Sequence, residues 1–223
     1  MPQGAISALA RDHVENQQQI ARAGGIVPLC TLVRDGTEDT RVQSASALWA
    51  LSHDNAPNKA TIAKLGGIDP LVSMLIHSAT VESSTEASGA LSSLASQHSE
   101  NRLAITKRMV AVLSLKILPN RAVRLLSAVA SLCDNEATNQ VAIAKAGGIQ
   151  HMILWLPTPS EEAQVQAARA MLAVASNNST TQALIGKLGG KPTPPCMGIV
   201  GKRLRQLHRL CRMAQASPHS LHW

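Results

Sequence analysis

The chain has 223 residues and a formal net charge of +7, and 45% of its residues are hydrophobic although only 1% are aromatic. A core without Phe and Tyr has to be built from Leu, Ile, Val, Ala and Met, which suits the packing of helices on helices. The basic excess lies in residues 187–223, which hold no Asp or Glu. The rest of the chain is neutral, so its charge does not indicate a nucleic-acid or membrane-binding protein as a whole.

The four cysteines indicate a reducing compartment. Cys30, Cys133, Cys196 and Cys211 lie far apart and form no C-x-x-C pair, which excludes a disulfide framework and a zinc site of the usual spacing. The segment 1–11 does not have the pattern of a secretory signal, and no run of about 18 apolar residues could span a bilayer. We expect a cytoplasmic protein, with the nucleus as the alternative, that is neither secreted nor membrane-spanning.

One sequence pattern recurs along the chain at a nearly constant interval. Residues 20–29 read IARAGGIVPL, and residues 62–71 read IAKLGGIDPL. The pattern returns as IAKAGGI at 143–149 and as IGKLGG at 185–190, whereas 105–110 hold a copy without the glycine pair. An interval of about 40–47 residues is typical of helical solenoids built from helix pairs or triplets.

The first full copy predicts three helices. A short first helix ends at the Gly24-Gly25 pair, because a glycine just past a helix can take the left-handed conformation. A second helix starts at once, with Pro28 in its first turn, and ends at Gly36. A long third helix is predicted from Glu38 to Ser52, with its apolar residues on one face.

The later copies vary this scheme at their turns. Residues 83–86 read Ser-Ser-Thr-Glu, which predicts a capping box at the start of the second copy's third helix. Thr158, followed by Pro159, predicts the N-cap of the fourth copy's third helix. The third copy is shorter, and we expect Pro119 and Asn120 to join its second and third helices at a tighter corner.

The repeat boundaries follow from this pattern. Residues 4–16 nearly repeat residues 89–101, so we expect the chain to begin inside the third helix of a preceding unit. After Gly190 the pattern stops and gives way to prolines and basic residues, for which we expect disorder. The predicted segments are a partial repeat at 1–15, repeats at 16–57, 58–100, 101–138 (degenerate and short) and 139–180, an incomplete repeat at 181–190, and a basic tail at 191–223.

These units resemble armadillo repeats. The resemblance rests on the Ile-Ala-x-x-Gly-Gly-Ile-x-Pro-Leu turn and on the sequence ALWALS at 47–52, and it covers residues 4–190. It implies an all-α fold, a right-handed armadillo-type superhelical solenoid of three-helix repeats. HEAT repeats, which have a similar period, lack this glycine pair and are the second choice.

The resemblance also implies a concave groove, lined by the third helices, that binds extended peptides or other proteins. Residues spaced i, i+3 or i+4, and i+7 share one helical face, which gives three groove positions on each third helix. A solvated face that binds nothing is the alternative. The groove positions are Gln43, Ser46, Ala50, Glu86, Gly89, Ser93, Arg124, Ser127, Ser131, Gln166, Arg169 and Ala173.

The sequence departs from peptide-binding family members at two sets of these positions. Such members carry an asparagine where this chain has Ala50, Ser93, Ser131 and Ala173. Importin-alpha carries a tryptophan one helical turn earlier, where this chain has Ser46, Gly89, Ser127 and Arg169. We therefore do not expect recognition of nuclear signals by the importin mechanism.

No set of residues indicates catalysis or metal binding. No Ser/His/Asp or Cys/His set has a helpful spacing, so we expect no enzymatic activity, no cofactor and no metal. We expect the histidines to share no repeat position and to lie at helix ends or in solvent, and Trp49 and Trp155 either to fill space between units or to anchor a partner. The histidines are His13, His53, His77, His98 and His151.

Three functions remain open at this point. The first is a monomeric, non-catalytic scaffold or adaptor that binds another protein through the third-helix groove. The second is a module whose basic tail, 191–223, tethers the array to nucleic acid or an anionic membrane. The third is a substrate-recognition fragment of a larger enzyme such as a ubiquitin ligase.

Overall fold

The computed structural model describes residues 2–78, 80–115, 117–134 and 136–189, and within these ranges every regular element is an α-helix. The predicted tail lies outside the described residues. The chain divides into two compact units, Met1–Val112 and Leu113–Trp223. The helices are α1 (Pro2–Ala10), α2 (Val14–Arg22), α3 (Ile26–Asp35), α4 (Glu38–Ser52), α5 (Ala56–Lys64), α6 (Ile68–His77), α7 (Val81–Ala95), α8 (Ser99–Leu113), α9 (Pro119–Cys133), α10 (Ala137–Lys145), α11 (Gly148–Leu154), α12 (Glu161–Ala175) and α13 (Ser179–Gly189).

The first unit stacks helix triplets. Helices α2, α3 and α4 form one triplet and α5, α6 and α7 form the next, while α1 occupies the place of a third helix before them. The third helices lie side by side, with α1 against α4 and α4 against α7. The predicted bounds of α4, Glu38 to Ser52, are confirmed.

The second unit repeats the scheme. Here α10, α11 and α12 form a triplet, the third helix α9 packs against α12, and α13 contacts both α10 and α12. The buried side chains in both units are mainly Leu, Ile, Val, Ala and Met, as the composition requires. Each unit is therefore part of an all-α solenoid.

The glycine pair makes the turn between first and second helices. Gly24, Gly66 and Gly147 have φ values of +80°, +77° and +85°, which L side chains rarely adopt. The second glycine, Gly25, is required for a different reason. Its N–H donates to the Ile20 carbonyl at 2.9 Å, and a Cβ at this position would lie 2.8 Å from the Ile20 side chain. The first glycine therefore supplies the backbone conformation and the second permits the close approach, as in a Schellman motif.

The third repeat shows what happens without the pair. Its first and second helices are one continuous helix, α8, with Arg108 and the fully buried Met109 inside it. A left-handed Arg would cost roughly 1–2 kcal/mol, so the helix continues. The predicted tighter corner at Pro119 and Asn120 is wrong, because these residues are the first two of α9, where proline needs no hydrogen-bond donor.

Two predicted helix starts are also wrong. The segment Ser83–Glu86 does not open α7, because Thr80 caps that helix and accepts a hydrogen bond from the N–H of Ser83 at 3.1 Å. Ser160, not Thr158, caps α12. The chemistry is the expected one, a hydroxyl that satisfies a free N–H of the first turn, but the position is shifted by two or three residues.

The expectation that no two histidines share a repeat position is wrong. His13 and His98 occupy the same place, before α2 and α8, and their Nδ1 atoms accept hydrogen bonds from the N–H groups of Asn16 and Asn101, at 3.3 Å in both. Asn55 caps α5 in the same way. These histidines therefore serve at helix starts.

A repeated hydrogen bond joins the start of each first helix to the third helix before it. One side chain in each repeat donates to the carbonyl seven residues earlier, in the last turn of the preceding third helix, where no intrahelical partner remains. The five pairs are Asn16 Nδ2 to Leu9 O (2.8 Å), Asn58 Nδ2 to Leu51 O (2.9 Å), Asn101 Nδ2 to Leu94 O (3.2 Å), Asn139 Nδ2 to Leu132 O, and Thr181 Oγ1 to Val174 O (2.7 Å).

In three repeats the next residue along the first helix reaches in the other direction, to the end of the third helix of its own repeat. Gln17 Nε2 donates to Ala50 O at 2.9 Å, Lys59 Nζ to Ser96 O at 2.8 Å, and Gln140 Nε2 to Ala173 O at 2.9 Å. We call these bonds, together with the five pairs above, the amide ladder. The donors of the three bonds described in this paragraph, Gln17, Lys59 and Gln140, are at most 3% exposed.

Replacing Asn58 with Ala should lower the free energy of unfolding by about 1–3 kcal/mol, because the Leu51 carbonyl in the last turn of α4 then loses its side-chain donor. Asn58 Nδ2 bonds Leu51 O at 2.9 Å and Gln17 O at 3.3 Å. Urea denaturation followed by circular dichroism measures the loss. The control is Gln18→Ala at an exposed helical position, with an expected change within about 0.5 kcal/mol, and equal effects of the two changes would contradict the ladder.

Because of Lys59, the free energy of unfolding should depend on pH in the alkaline range. Burial lowers its pKa below the ordinary value of 10.5, and the negative charge of Asp54 opposes the shift. Because the unfolded chain then binds more protons than the folded chain just below pH 10.5, the stability of the wild type should rise with pH in that window. Gln stands at the equivalent positions 17 and 140. Replacing Lys59 with Gln should therefore change the free energy of unfolding at neutral pH by less than about 1.5 kcal/mol.

The measurement is the difference in unfolding free energy between wild type and Lys59→Gln from neutral pH to pH values near the ordinary lysine pKa. The difference should move in favour of the wild type as the pH rises. A difference that stays constant, or moves the other way, would contradict the burial of a charged Lys59.

Candidate protein-binding faces

The third helices of the first unit carry a cleft on the predicted groove face. Its volume is about 300 Å³, and it lies among α1, α4 and α7. Of the six groove residues predicted in this unit, Ser46, Ala50 and Glu86 line it. The full lining is Arg11, Asp12, Ser46, Trp49, Ala50, His53 and Glu86.

Two carboxylates set the chemistry of this first-unit cleft. Asp12 and Glu86 are its acidic residues and Arg11 is opposite in charge, while His53 Nδ1 lies 3.7 Å from Asp12 Oδ1. Glu86 Oε2 is buried and has no hydrogen-bond partner among the described residues. The cleft therefore offers one acceptor without a partner, Glu86 Oε2, and a net negative charge when His53 is neutral.

The other predicted positions of this unit lie in the seam between α4 and α7 or beside the cleft. A Cβ on Gly89 would lie 2.5 Å from the Trp49 ring, so the ring covers this position. Ser93 is 8% exposed and accepts a hydrogen bond from Ser52 Oγ at 2.8 Å. Gln43 is half-buried and is not among the lining residues.

Trp49 therefore fills the space between two repeats, and it also lines the cleft. Trp155 directly follows α11 and is half-buried.

The second unit has a cleft of about 280 Å³ between α9 and α12. Four predicted groove residues line it, whereas Arg124 and Gln166 do not. Asp134 and Arg169 are its charged groups, so the cleft has no net charge. The full lining is Ser127, Ala130, Ser131, Asp134, Arg169, Leu172, Ala173 and Ser176.

Comparison with known proteins agrees with this geometry. The family model described as armadillo/beta-catenin-like repeat matches residues 13–53 and 55–96, which contain the triplets α2–α4 and α5–α7. Residues 13–96 therefore contain two armadillo repeats. No curated protein matches it by sequence.

Solved structures of designed proteins share the armadillo fold. An engineered protein is 22% identical with a TM-score of 0.56, over 93% of this chain and 89% of the other. A designed armadillo repeat protein is 19% identical with a TM-score of 0.54, over 94% and 91%. Another designed armadillo repeat protein, in complex with the peptide (KR)4, is 20% identical with a TM-score of 0.53, over 91% and 90%.

Reasoning from the armadillo groove positions missed the residues at the ends of the third helices. Asp12 and His53 line the first cleft and Asp134 the second. Only Asp12 carried a signal, because residues with positive φ recur just past the third helices and Asp and Asn tolerate this conformation better than most residues, whereas His53 and Asp134 have negative φ. The residues with positive φ are Asp12 (+56°), Asp54 (+49°), Gln97 (+55°) and Asn177 (+53°).

The metal-ligating residue types and the buried thiols of the described residues can be located directly. Within it, no three His, Cys, Asp or Glu side chains are placed to share a metal ion. Burial raises the pKa of the Cys30 thiol to about 11, against the opposing charge of Arg34, and that of Cys133 to about 12, so both stay protonated at neutral pH. None of the helices in the described ranges could span a bilayer.

Gly89→Ala should cost about 1–3 kcal/mol of stability, because the added methyl group displaces the Trp49 ring from the seam. The same change made in a Trp49→Leu background should cost much less. Urea denaturation of the wild type, both single variants and the double variant measures the coupling energy. Additive effects of the two changes would show that the ring does not rest on Gly89.

Proposed function

We propose that this armadillo array is a non-catalytic protein-binding scaffold that takes a basic, extended segment of another protein on the third-helix face of its first unit. The observation that carries the proposal is that Asp12, Glu86 and Trp49 line one cleft on the third-helix face. Solenoids present such extended faces to partners.

The size and charge of the first-unit cleft suit one long cationic side chain. A volume of about 300 Å³ is at the lower limit of small-ligand sites. A lysine or arginine side chain can place its charge between Asp12 and Glu86, with its methylene groups against Trp49. A designed armadillo repeat protein has been solved in complex with the peptide (KR)4, which supports the choice of a basic ligand.

The chain lacks the asparagine that holds the peptide backbone in peptide-binding relatives, since Ala50 and Ser93 stand there. Ser93 already bonds Ser52. The binding energy must therefore come mainly from side-chain contacts. Because exposed charges are screened by salt, the affinity should fall as the salt concentration rises.

The test is binding of a fluorescein-labelled (KR)4 peptide, followed by fluorescence anisotropy. Asp12→Asn combined with Glu86→Gln should raise the dissociation constant at least about tenfold, because both carboxylate charges are lost. The double variant should also show a weaker salt dependence than the wild type.

The matched control is Glu15→Gln, which removes an exposed carboxylate from α2 outside the cleft and should leave the dissociation constant within about twofold. A (GS)4 peptide should not bind. Wild-type binding of (KR)4 that survives the double substitution, or that does not exceed the binding of (GS)4, would overturn the proposal.

A further inference from the structure

The first helices of the first unit carry one exposed cation each, at the same position of the repeat. Arg22, Lys64 and Lys107 are the third residues of the segments IARAGG, IAKLGG and ITKRMV. Among the described residues none of the three makes an ion pair. A cation favours a helix C-terminus, which suits Arg22 and Lys64 at the ends of α2 and α5, but Lys107 lies inside the continuous α8. Helix ends therefore do not account for the whole row.

The carboxylates beside this row of cations are either paired or distant. Asp69, in the first turn of α6, accepts from Arg108 Nε at 2.9 Å. Glu15 and Glu100 stand seven residues before the cations of α2 and α8. This spacing puts them about 10 Å away along each helix, beyond the Debye length of about 8 Å at physiological salt. The row therefore keeps most of its positive charge.

Exposed apolar side chains lie among these cations. Val27, in the first turn of α3 after the first glycine pair, is 53% exposed, and Leu65, next to Lys64, is 41% exposed. Leu103 is 46% exposed and precedes Lys107 by four residues, so the two share one face of α8. We call this surface the turn edge, and it consists of Arg22, Val27, Lys64, Leu65, Leu103 and Lys107.

Contacts between successive first helices bring the parts of the turn edge together. Asn58 Nδ2 on α5 donates to the carbonyl of Gln17 on α2 at 3.3 Å, and Asn101 Nδ2 on α8 donates to the carbonyl of Lys59 on α5 at 3.0 Å. Further along α8, its ion pair with α6 holds it beside the second glycine turn. Packed helices lie about 8–10 Å apart, so a cation recurs at about this interval along the edge.

We propose that the turn edge binds the surface of a bilayer that contains anionic lipids. Its cations lie among the lipid phosphate groups, and its apolar side chains reach the boundary with the acyl chains. The apolar residues decide for lipid, because a nucleic-acid backbone neutralises cations but buries no apolar side chain, whereas a bilayer does both. Residues 187–223 contain no Asp or Glu, so they offer no carboxylate to this edge.

This membrane contact is separate from the proposed peptide site, since no turn-edge residue lines the first-unit cleft. Three cations and three partly exposed apolar side chains make a weak anchor, so the binding should be reversible. It should also weaken as the salt concentration rises, because exposed charges are screened.

Co-sedimentation of the full chain with vesicles of phosphatidylcholine and phosphatidylserine in equal amounts tests the proposal. Arg22→Gln combined with Lys64→Gln and Lys107→Gln should lower the partition coefficient at least about tenfold, because each cation near an anionic surface contributes roughly fivefold. Vesicles of phosphatidylcholine alone should bind much less of the wild type. Circular dichroism checks that the variant keeps its helices.

The matched control removes the same number of charges from the basic tail. Arg203→Gln combined with Arg205→Gln and Arg209→Gln leaves the same net charge as the turn-edge variant and should lower the partition coefficient by a smaller factor. A wild type that does not bind the anionic vesicles would overturn the proposal. So would a turn-edge variant that binds as well as the wild type, or no worse than the tail variant.

A fluorescent label separates a bilayer from a nucleic acid. In a full chain with Cys196→Ser and Cys211→Ser, whose two remaining cysteines are buried, an NBD label attached after Leu65→Cys should emit at shorter wavelength when anionic vesicles are added. The same label attached after Val81→Cys should not respond, because this 81% exposed residue lies past the other end of α6, about 15 Å away along that helix.

A single-stranded oligonucleotide is the competing ligand. If it binds through the three turn-edge cations while the label at position 65 does not respond to vesicles, the edge is a nucleic-acid site and the membrane proposal is wrong. Equal responses of the two labels would also contradict it, because the contact would then not be confined to the turn edge.

Discussion

Each third helix ends in carbonyl groups that its own backbone cannot bond, and these ends lie where the chain turns into the next repeat. In both units the carbonyls are bonded by side chains of neighbouring first helices, through the amide ladder. Apolar packing favours contact between repeats but is not directional. The ladder is directional, and a buried carbonyl without a donor costs about 1–3 kcal/mol, so it selects one arrangement of first and third helices.

The ladder also supports the faces that carry the proposed function. Ala50 and Ala173 belong to the predicted groove positions, and their carbonyls accept hydrogen bonds from Gln17 and Gln140. The third-helix backbone beneath each cleft is thereby hydrogen-bonded to a first helix. A binding face held on fixed helices loses less conformational freedom when a partner binds, which suits a shallow surface with few contacts.

The sequence alone predicted the repeat, the helix order and the turns that depend on a single residue type. Gly24 and Gly66 could be assigned because only glycine takes their conformation at low cost. The continuous α8 was not foreseen, because a missing glycine does not say whether the chain still turns. Caps such as Thr80 and Ser160 were missed because several hydroxyl residues nearby could serve equally well.

The clefts and the bonds from Gln17, Lys59 and Gln140 could not be predicted because they join residues roughly thirty to forty positions apart. The pairing of Trp49 with Gly89, and the bond from Gln17 to Ala50, depend on how repeats pack rather than on local pattern. Asn16, Asn58, Asn101 and Asn139 do recur at a regular interval. Nothing local distinguishes a buried asparagine in the first turn of a helix from a solvated one.

Hydrogen exchange of side-chain amide protons, followed by NMR, tests the ladder most directly. The amides of Asn58, Asn101 and Gln140 are buried donors, whereas Gln18 and Gln19 on α2 are exposed and serve as internal references. The account predicts that the three ladder amides exchange only when the surrounding repeats open, orders of magnitude more slowly than the references. Ladder amides that exchange as fast as Gln18 and Gln19 in the folded protein would contradict it.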